Sequence, residues 1–87
     1  MGQLSDSQAM TLLSAGVLYG RAADVLSDFE REIVADACER FVRQRRHAYV
    51  TDNEWPVIER SIEAMRAEIS RRQGRKALRA FDAEADV

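Results

Sequence analysis

Apolar residues recur at helical spacing in two stretches in the middle of the chain, residues 28–46 and 52–73. In the first stretch they stand four positions apart, and in the second they step by three and four positions, as along a coiled-coil seam. The two rows are Phe29, Ile33, Ala37 and Phe41, and then Trp55, Ile58, Ile62, Met65 and Ile69. The short connection between the stretches suits two helices that run antiparallel. The pattern therefore predicts a central antiparallel helical hairpin.

Three short polar motifs predict where helices begin. In each motif a Ser or Thr stands three residues before a Glu or Gln, which is the spacing of a capping box. The two side chains then bond to backbone amides that the first helical turn leaves without partners. The three pairs are Ser5 with Gln8, Ser27 with Glu30, and Thr51 with Glu54.

The first motif opens a helix that precedes the hairpin and is expected to end at about Ala23 or Leu26. Large apolar residues at helical spacing are expected to form its buried face. They are Met10, Leu13 and Val17, with Leu12 and Leu18 beside them. Gly16 and Gly20 lie one turn apart, and each costs up to about 1 kcal/mol relative to alanine in a helix. This cost indicates either a close approach of another helix or a bend.

These elements predict an all-α fold, a small three-helix bundle built around the hairpin. One helical domain is expected to cover residues 1–87, with disordered ends at 1–4 and 82–87. Gly74 is expected to end the third helix. After it, residues 76–81 either form a short fourth C-terminal helix or continue the third.

The residue types argue against catalysis. The chain has one cysteine and one histidine, so neither a disulfide nor the paired ligand spacing of a metal site is available. Cys38 stands in an apolar row without a base beside it, and a buried structural thiol is expected. The sequence also has no glycine-rich phosphate loop and no nucleophile-elbow motif. We therefore expect no enzyme activity, no metal and no cofactor.

The apolar runs are too short for a membrane protein. None approaches the roughly 18–20 residues that span a bilayer, and no signal-peptide pattern is evident at the start of the sequence. A single cysteine fits a reducing compartment. A cytoplasmic protein without membrane contact is expected.

Charge is unevenly distributed, although the net charge is only −2. Residues 1–39 carry seven acids and two arginines, whereas residues 40–79 carry eleven basic residues and five acids. The basic residues gather in two clusters, at 40–46 and at 71–79. Such a separation of sign fits intramolecular pairing, dimerisation or an anionic partner.

The hairpin turn carries residue types that dominate protein-binding hot spots. The residues expected to contact a partner are Arg43, Arg46, Tyr49 and Trp55. The core of so short a chain is thin, which favours a homodimer. The leading hypothesis is a non-catalytic protein–protein interaction module, a small adaptor or inhibitor that forms a homodimer.

The alternative hypothesis is a nucleic-acid-binding protein that uses both arginine clusters. Its expected contacts are Arg71, Arg72, Arg75, Lys76 and Arg79. Arginine binds phosphate well, but the sequence pI of about 5.4 opposes the broad basic footprint of a DNA-binding protein.

Residues 26–69 resemble a helical segment of small phage and prophage proteins. The matching residues are Leu26, Ser27, Phe29, Glu30 and Ile33, and, after a basic linker, Thr51, Asp52, Glu54, Trp55, Ile58, Glu59 and Ile62. The segment covers about half of the chain. The resemblance implies a phage-like helical protein, loosely tied to DNA metabolism, and it carries over no catalytic residue.

Overall fold

The computed structural model describes the backbone of residues 3–85 and the side chains of residues 3–74. Three helices follow one another: α1 (Asp6–Ala22), α2 (Asp28–Gln44) and α3 (Glu54–Ala85). Short 3-10 turns at Ala23–Val25 and Arg45–His47 lead into the two connections. The described backbone contains no strand. The predicted all-α class with three helices is therefore confirmed.

The helices run up, down and up. The amide of Leu4, just before α1, donates to the carbonyl of Arg46 at the end of α2, at 2.8 Å. At the other end of α1, the carbonyl of Arg21 accepts from Nη1 of Arg72, far along α3, at 3.1 Å. Thus α2 is antiparallel to α1, and α1 is parallel to α3.

All three predicted capping boxes form. The hydroxyl of Ser5 accepts from the amide of Gln8 at 3.1 Å, and the side chain of Gln8 accepts from the amide of Ser5 at 2.9 Å. The same reciprocal bonds join Ser27 with Glu30 and Thr51 with Glu54. Each helix therefore begins at a motif that is readable within four residues of sequence.

The core lies between the three helices, and the predicted seam of α3 faces it. Ile58, Ile62 and Met65 are buried, and Trp55 and Ile69 pack against the core at its edge. On α2 the predicted row packs on the core from Ile33 to Phe41 but not at Phe29. That helix buries Val34, Ala37 and Phe41 but exposes Phe29 and Val42.

The helix α1 turns a different face to the core from the one predicted. Its buried residues are Ala9, Leu12, Ala15 and Ala22. Of the residues expected there, Leu12 is buried and Leu18 packs against the core. The other three are exposed, with Met10 at 61%, Leu13 at 51% and Val17 at 65%. Alanine side chains let α1 lie close to both neighbouring helices, and the face that carries them cannot also bury the larger residues opposite.

The two glycines of α1 are not explained by a tight crossing inside the bundle. A Cβ added to Gly16 would lie 3.9 Å from Sγ of Cys38, which is an ordinary contact, and one added to Gly20 would meet nothing within 4 Å. Both glycines are exposed. The expected close approach is therefore absent from the described part of the chain.

Four expectations concern the ends of the chain. The helix α3 passes through Gly74, so the helix stop predicted there is wrong. The short fourth helix at 76–81 and the disordered end at 82–87 lie outside the residues whose side chains are described, and both stay predictions. Leu4, which the sequence places in a loose segment, is buried.

We expect Ser61→Ala to stabilise the bundle. Ser61 on α3 is fully buried, and its hydroxyl finds no hydrogen-bond partner in the described structure. Removing an unpaired buried hydroxyl, together with the higher helix propensity of alanine, should raise the free energy of unfolding by about 1 kcal/mol. Urea unfolding followed by circular dichroism measures the change.

Ser70→Ala on the exposed side of α3 is the matched control. It gains only the propensity term, about 0.5 kcal/mol or less. A loss of stability in Ser61→Ala would show that the hydroxyl does make a stabilising bond.

We expect Arg45→Gly to be stabilising as well. Arg45 ends α2 with φ 55° and ψ −130°, and it is the one non-glycine residue with positive φ in the described backbone. Glycine adopts this conformation without the steric conflict of a Cβ. The expected gain is about 1 kcal/mol in the free energy of unfolding. Arg45→Ala, which keeps the Cβ, should show no such gain in the same urea titration.

Candidate functional site

The hairpin turn places the four side chains predicted to contact a partner in different settings. Arg43 pairs with Glu39 at 2.9 Å, one turn earlier on α2. Tyr49 is 69% exposed, whereas Trp55 packs against the edge of the core. Arg46 is the fourth of these residues. In the described structure, no hydrogen bond or ion pair joins any two of the four side chains. Tyr49 is thus the large apolar group that this turn offers to solvent.

Arg40, which belongs to the first arginine cluster, bonds to groups before, within and after the hairpin turn. Its guanidinium lies 2.6 Å from the carboxylate of Glu54 and 2.7 Å from that of Asp36, and it donates to the carbonyl of Tyr49 at 2.5 Å. Hydrogen bonding by Arg40 holds the pKa of Glu54 below its ordinary value, against burial, which would raise it. The amide of Thr51 adds a further bond to Glu54 at 2.9 Å. Arg40 therefore holds the structure together and is not a free cation.

The second arginine cluster is also used internally as far as it is described. Arg71 lies 2.5 Å from Glu68 on the same helix. Arg72 reaches across to Asp24 after α1, at 2.7 Å. The other expected nucleic-acid contacts, Arg75, Lys76 and Arg79, lie outside the residues whose side chains are described. Acids from the first half of the chain and arginines from the second half thus neutralise each other across the bundle.

The one thiol sits between α1 and α2. Cys38 is half-buried, and its Sγ lies 3.8 Å from the carbonyl oxygen of Leu12, to which it can donate. Burial raises the pKa of this thiol, so it stays protonated at neutral pH. In this setting the side chain packs as a small apolar group.

The described part of the chain contains no cluster of metal-ligating side chains. No group of three or more His, Cys, Asp or Glu side chains there is placed to hold an ion. Within the same residues, no helix has both the length and the apolar character needed to cross a bilayer.

The sequence pattern did not predict one surface, an exposed row on α1. We call Met10, Leu13 and Val17 the apolar stripe. A groove of about 410 Å³ runs between α1 and α3 beside Met10, and Glu59 and Glu63 line it on α3. A further hollow of about 300 Å³ continues past Leu13 and Val17 as far as Arg66.

A signal for this surface is present in the sequence. Ala9, Leu12 and Ala15 stand at helical spacing on α1, just as the apolar stripe does. Both rows satisfy the helical period, and the row with the smaller side chains is the one that packs inward. The larger row is thereby left as an apolar surface rimmed by charged groups, an arrangement typical of binding sites.

The fold and this surface define a small three-helix bundle with an exposed apolar stripe on its first helix. Neither a protein-family model, nor a curated protein, nor a solved structure matches the chain significantly. The resemblance of residues 26–69 to phage and prophage proteins therefore stays a prediction. What the chain does has to be inferred from its own geometry.

We expect Glu54→Gln to lower stability and to weaken its dependence on acid. The charged form of Glu54 is favoured in the fold, so its contribution is complete above the ordinary pKa of 4.5 and is lost as the pH falls through the lower folded-state value. Gln carries no charge, so it forms no ion pair with Arg40, and its side chain does not titrate. The variant should lose about 2 kcal/mol at neutral pH, with a shallower decline below pH 4.5.

Urea unfolding at a series of pH values measures both effects. Glu32→Gln is the control, because Glu32 is exposed on α2 and makes no ion pair in the described structure. It should follow the wild-type curve. An acid limb in Glu54→Gln as steep as that of the wild type would contradict the assignment.

Proposed function

We propose that the chain is a non-catalytic protein–protein interaction module, a small adaptor or inhibitor that works as a homodimer. The observation that carries this proposal is the apolar stripe, whose three side chains are each at least half exposed on one face of α1. A contiguous apolar row with a charged rim costs solubility when it stays uncovered, and a partner surface removes that cost. The groove beside the stripe adds depth to the contact.

The polar groups of the described chain support a binding role over a catalytic one. Three pairs of side chains cap the helices. Arg40 and Arg72 link helices or their connections by ion pairs. The thiol of Cys38 has a raised pKa, which disfavours a thiolate nucleophile. Because these groups stabilise the bundle, we propose that the chain functions by binding through its surface.

The hairpin turn is proposed as the second contact, with the adapted or inhibited protein. Tyr49 is exposed there, and Arg43 and Arg46 keep 75% and 53% of their side-chain surface in solvent. Their bonds to the exposed acids Glu39 and Asp6 are weak in water and can be exchanged for bonds to a partner. A rigid aromatic group flanked by arginines is the composition of a hot spot.

The nucleic-acid alternative is less well supported. Arg71 and Arg72 both pair with Glu68, whose side chain keeps only 13% of its surface in solvent, so phosphate would have to compete with bonds that water screens less than those of Arg43 and Arg46. An alternative of this kind has a clear signature, because binding to phosphates weakens steeply with salt through counterion release.

Affinity capture from the native host tests the proposal. Wild-type protein should retain a defined protein partner, and Tyr49→Ala should lose most of it, because truncating a hot-spot aromatic group costs about 2 kcal/mol or more. Retention measured over a salt series and by mass spectrometry gives the readout. Phe29→Ala is the matched control, since Phe29 is an exposed aromatic residue at the far end of α2 from the turn.

Two results would overturn the proposal. One is retention of nucleic acid that collapses as salt rises and depends on Arg71 and Arg72. The other is steady turnover of a substrate by the purified chain that is lost on replacing a single polar residue.

A further inference from the structure

We infer that the apolar stripe is covered by the same stripe of a second copy of this chain, with the two α1 helices packed antiparallel. The twofold axis passes between Leu13 and Ser14. The inference rests on the proposed function, and it specifies the face and the orientation of the homodimer.

The residues of the stripe are placed symmetrically about that axis. Met10 and Val17 stand at equal distances along α1 from the point between Leu13 and Ser14. In an antiparallel pair related by this axis, each residue of one helix lies level with the residue of the second helix that stands equally far from the axis on its opposite side. Met10 of one copy therefore packs on Val17 of the second copy, and the two Leu13 side chains meet at the centre.

The charges at the ends of the stripe select the antiparallel orientation. Asp6 and Arg21 lie one turn beyond Met10 and Val17, on the same face of α1 and symmetric about the same axis. An antiparallel partner places each Asp6 beside Arg21 of the second copy. A parallel partner would place acid beside acid and arginine beside arginine, which is repulsive.

The rim on α3 repeats this division of sign. Because α1 and α3 run parallel, Glu59 and Glu63 lie beside the Met10 end of the stripe. Arg66 lies further along α3, beside Leu13 and Val17, and it lines the groove as well. Within the described residues these three α3 side chains make no ion pair. The twofold operation brings the acidic half of one copy over the basic half of the other.

Asp6 remains able to join such a contact although it already has one partner. Its carboxylate lies 2.6 Å from Arg46, yet its side chain is 86% exposed. A carboxylate accepts several hydrogen bonds through its two oxygens. Arg21 of the second copy can thus approach without displacing Arg46.

The antiparallel pair also accounts for the glycines of α1. Gly16 and Gly20 flank the stripe on the side of Leu13 and are exposed, with open space where a Cβ of Gly20 would lie. Missing side chains let a second helix come close to the backbone. Gly16 also adjoins Cys38 of α2, but the bundle leaves the space beside Gly20 open, and a neighbouring α1 can use it.

The contact is small, which sets the expected affinity. Each copy contributes three medium-sized apolar side chains, less than the roughly 800 Å² per partner of a standard stable interface. We therefore expect a dissociation constant of about 1–100 μM, in which the charged ends decide orientation more than strength.

Sedimentation equilibrium between about 1 μM and 1 mM brackets this range. Wild-type chain should pass from monomer to dimer. Leu13→Glu places two carboxylates at the axis and should weaken dimerisation by at least about tenfold. The matched control, Phe29→Glu, changes an apolar residue on α2 that is also more than half exposed, and it should leave the dissociation constant unchanged. Circular dichroism confirms that both variants keep their helices.

Cross-linking tests the orientation. In a Cys38→Ala background, Met10→Cys and Val17→Cys chains are treated with a short bismaleimide, separately and as a mixture. An antiparallel pair joins position 10 only to position 17, so only the mixture should give a covalent dimer. Cross-linking by either variant alone indicates a parallel pair and overturns the inference.

The outcomes separate this inference from the proposed function. A chain that dimerises regardless of Leu13→Glu, yet captures its partner through Tyr49, overturns the inference alone. A chain that stays monomeric and still captures its partner overturns the inference and the homodimer part of the proposed function, and supports the binding role. A chain that dimerises through the stripe but captures no protein supports the inference and overturns the adaptor or inhibitor role.

Discussion

The packing of α1 through small side chains is the constraint that decides what this bundle shows to its surroundings. Ala15 and Ala22 are fully buried, and Leu12 is the one large residue among the four that α1 buries. With methyl groups at the contact, α1 lies close between its two neighbours. A helix can turn only one face inward, so its other apolar row stands in solvent. The binding proposals follow from that choice of face.

Local signals in the sequence predicted much of the fold. The capping boxes at Ser5, Ser27 and Thr51 depend only on residues three positions apart, so no tertiary information was needed to read them. The seam of α3 was equally readable, because charged residues cover the opposite face of that helix. Its buried members include Ile58 and Met65, both fully enclosed.

The inner face of α1 could not be predicted in the same way. Two rows of that helix satisfy the helical period. The larger apolar side chains favour the row with Met10 and Val17 as the buried face, but both residues are exposed. Which row packs inward depends on the space that α2 and α3 leave, and that space is a property of the assembled bundle. The pairing of Asp6 with Arg46, and of Asp24 with Arg72, likewise joins residues far apart in sequence. The uneven charge is compatible with intramolecular pairing from the sequence alone, but which acid meets which arginine depends on the assembled bundle.

The capping boxes also bear on how the chain folds. Each helix carries its own start signal, and α1 and α3 each meet α2 through a short connection, while the contact of α1 with α3 forms across the length of α2. Chains of this topology cross their folding barrier in microseconds to milliseconds. A short-lived unfolded state leaves little time for the apolar segments of separate molecules to aggregate. The core residues are therefore buried quickly, and the apolar stripe is the one of these segments that stays exposed on α1 in the described structure.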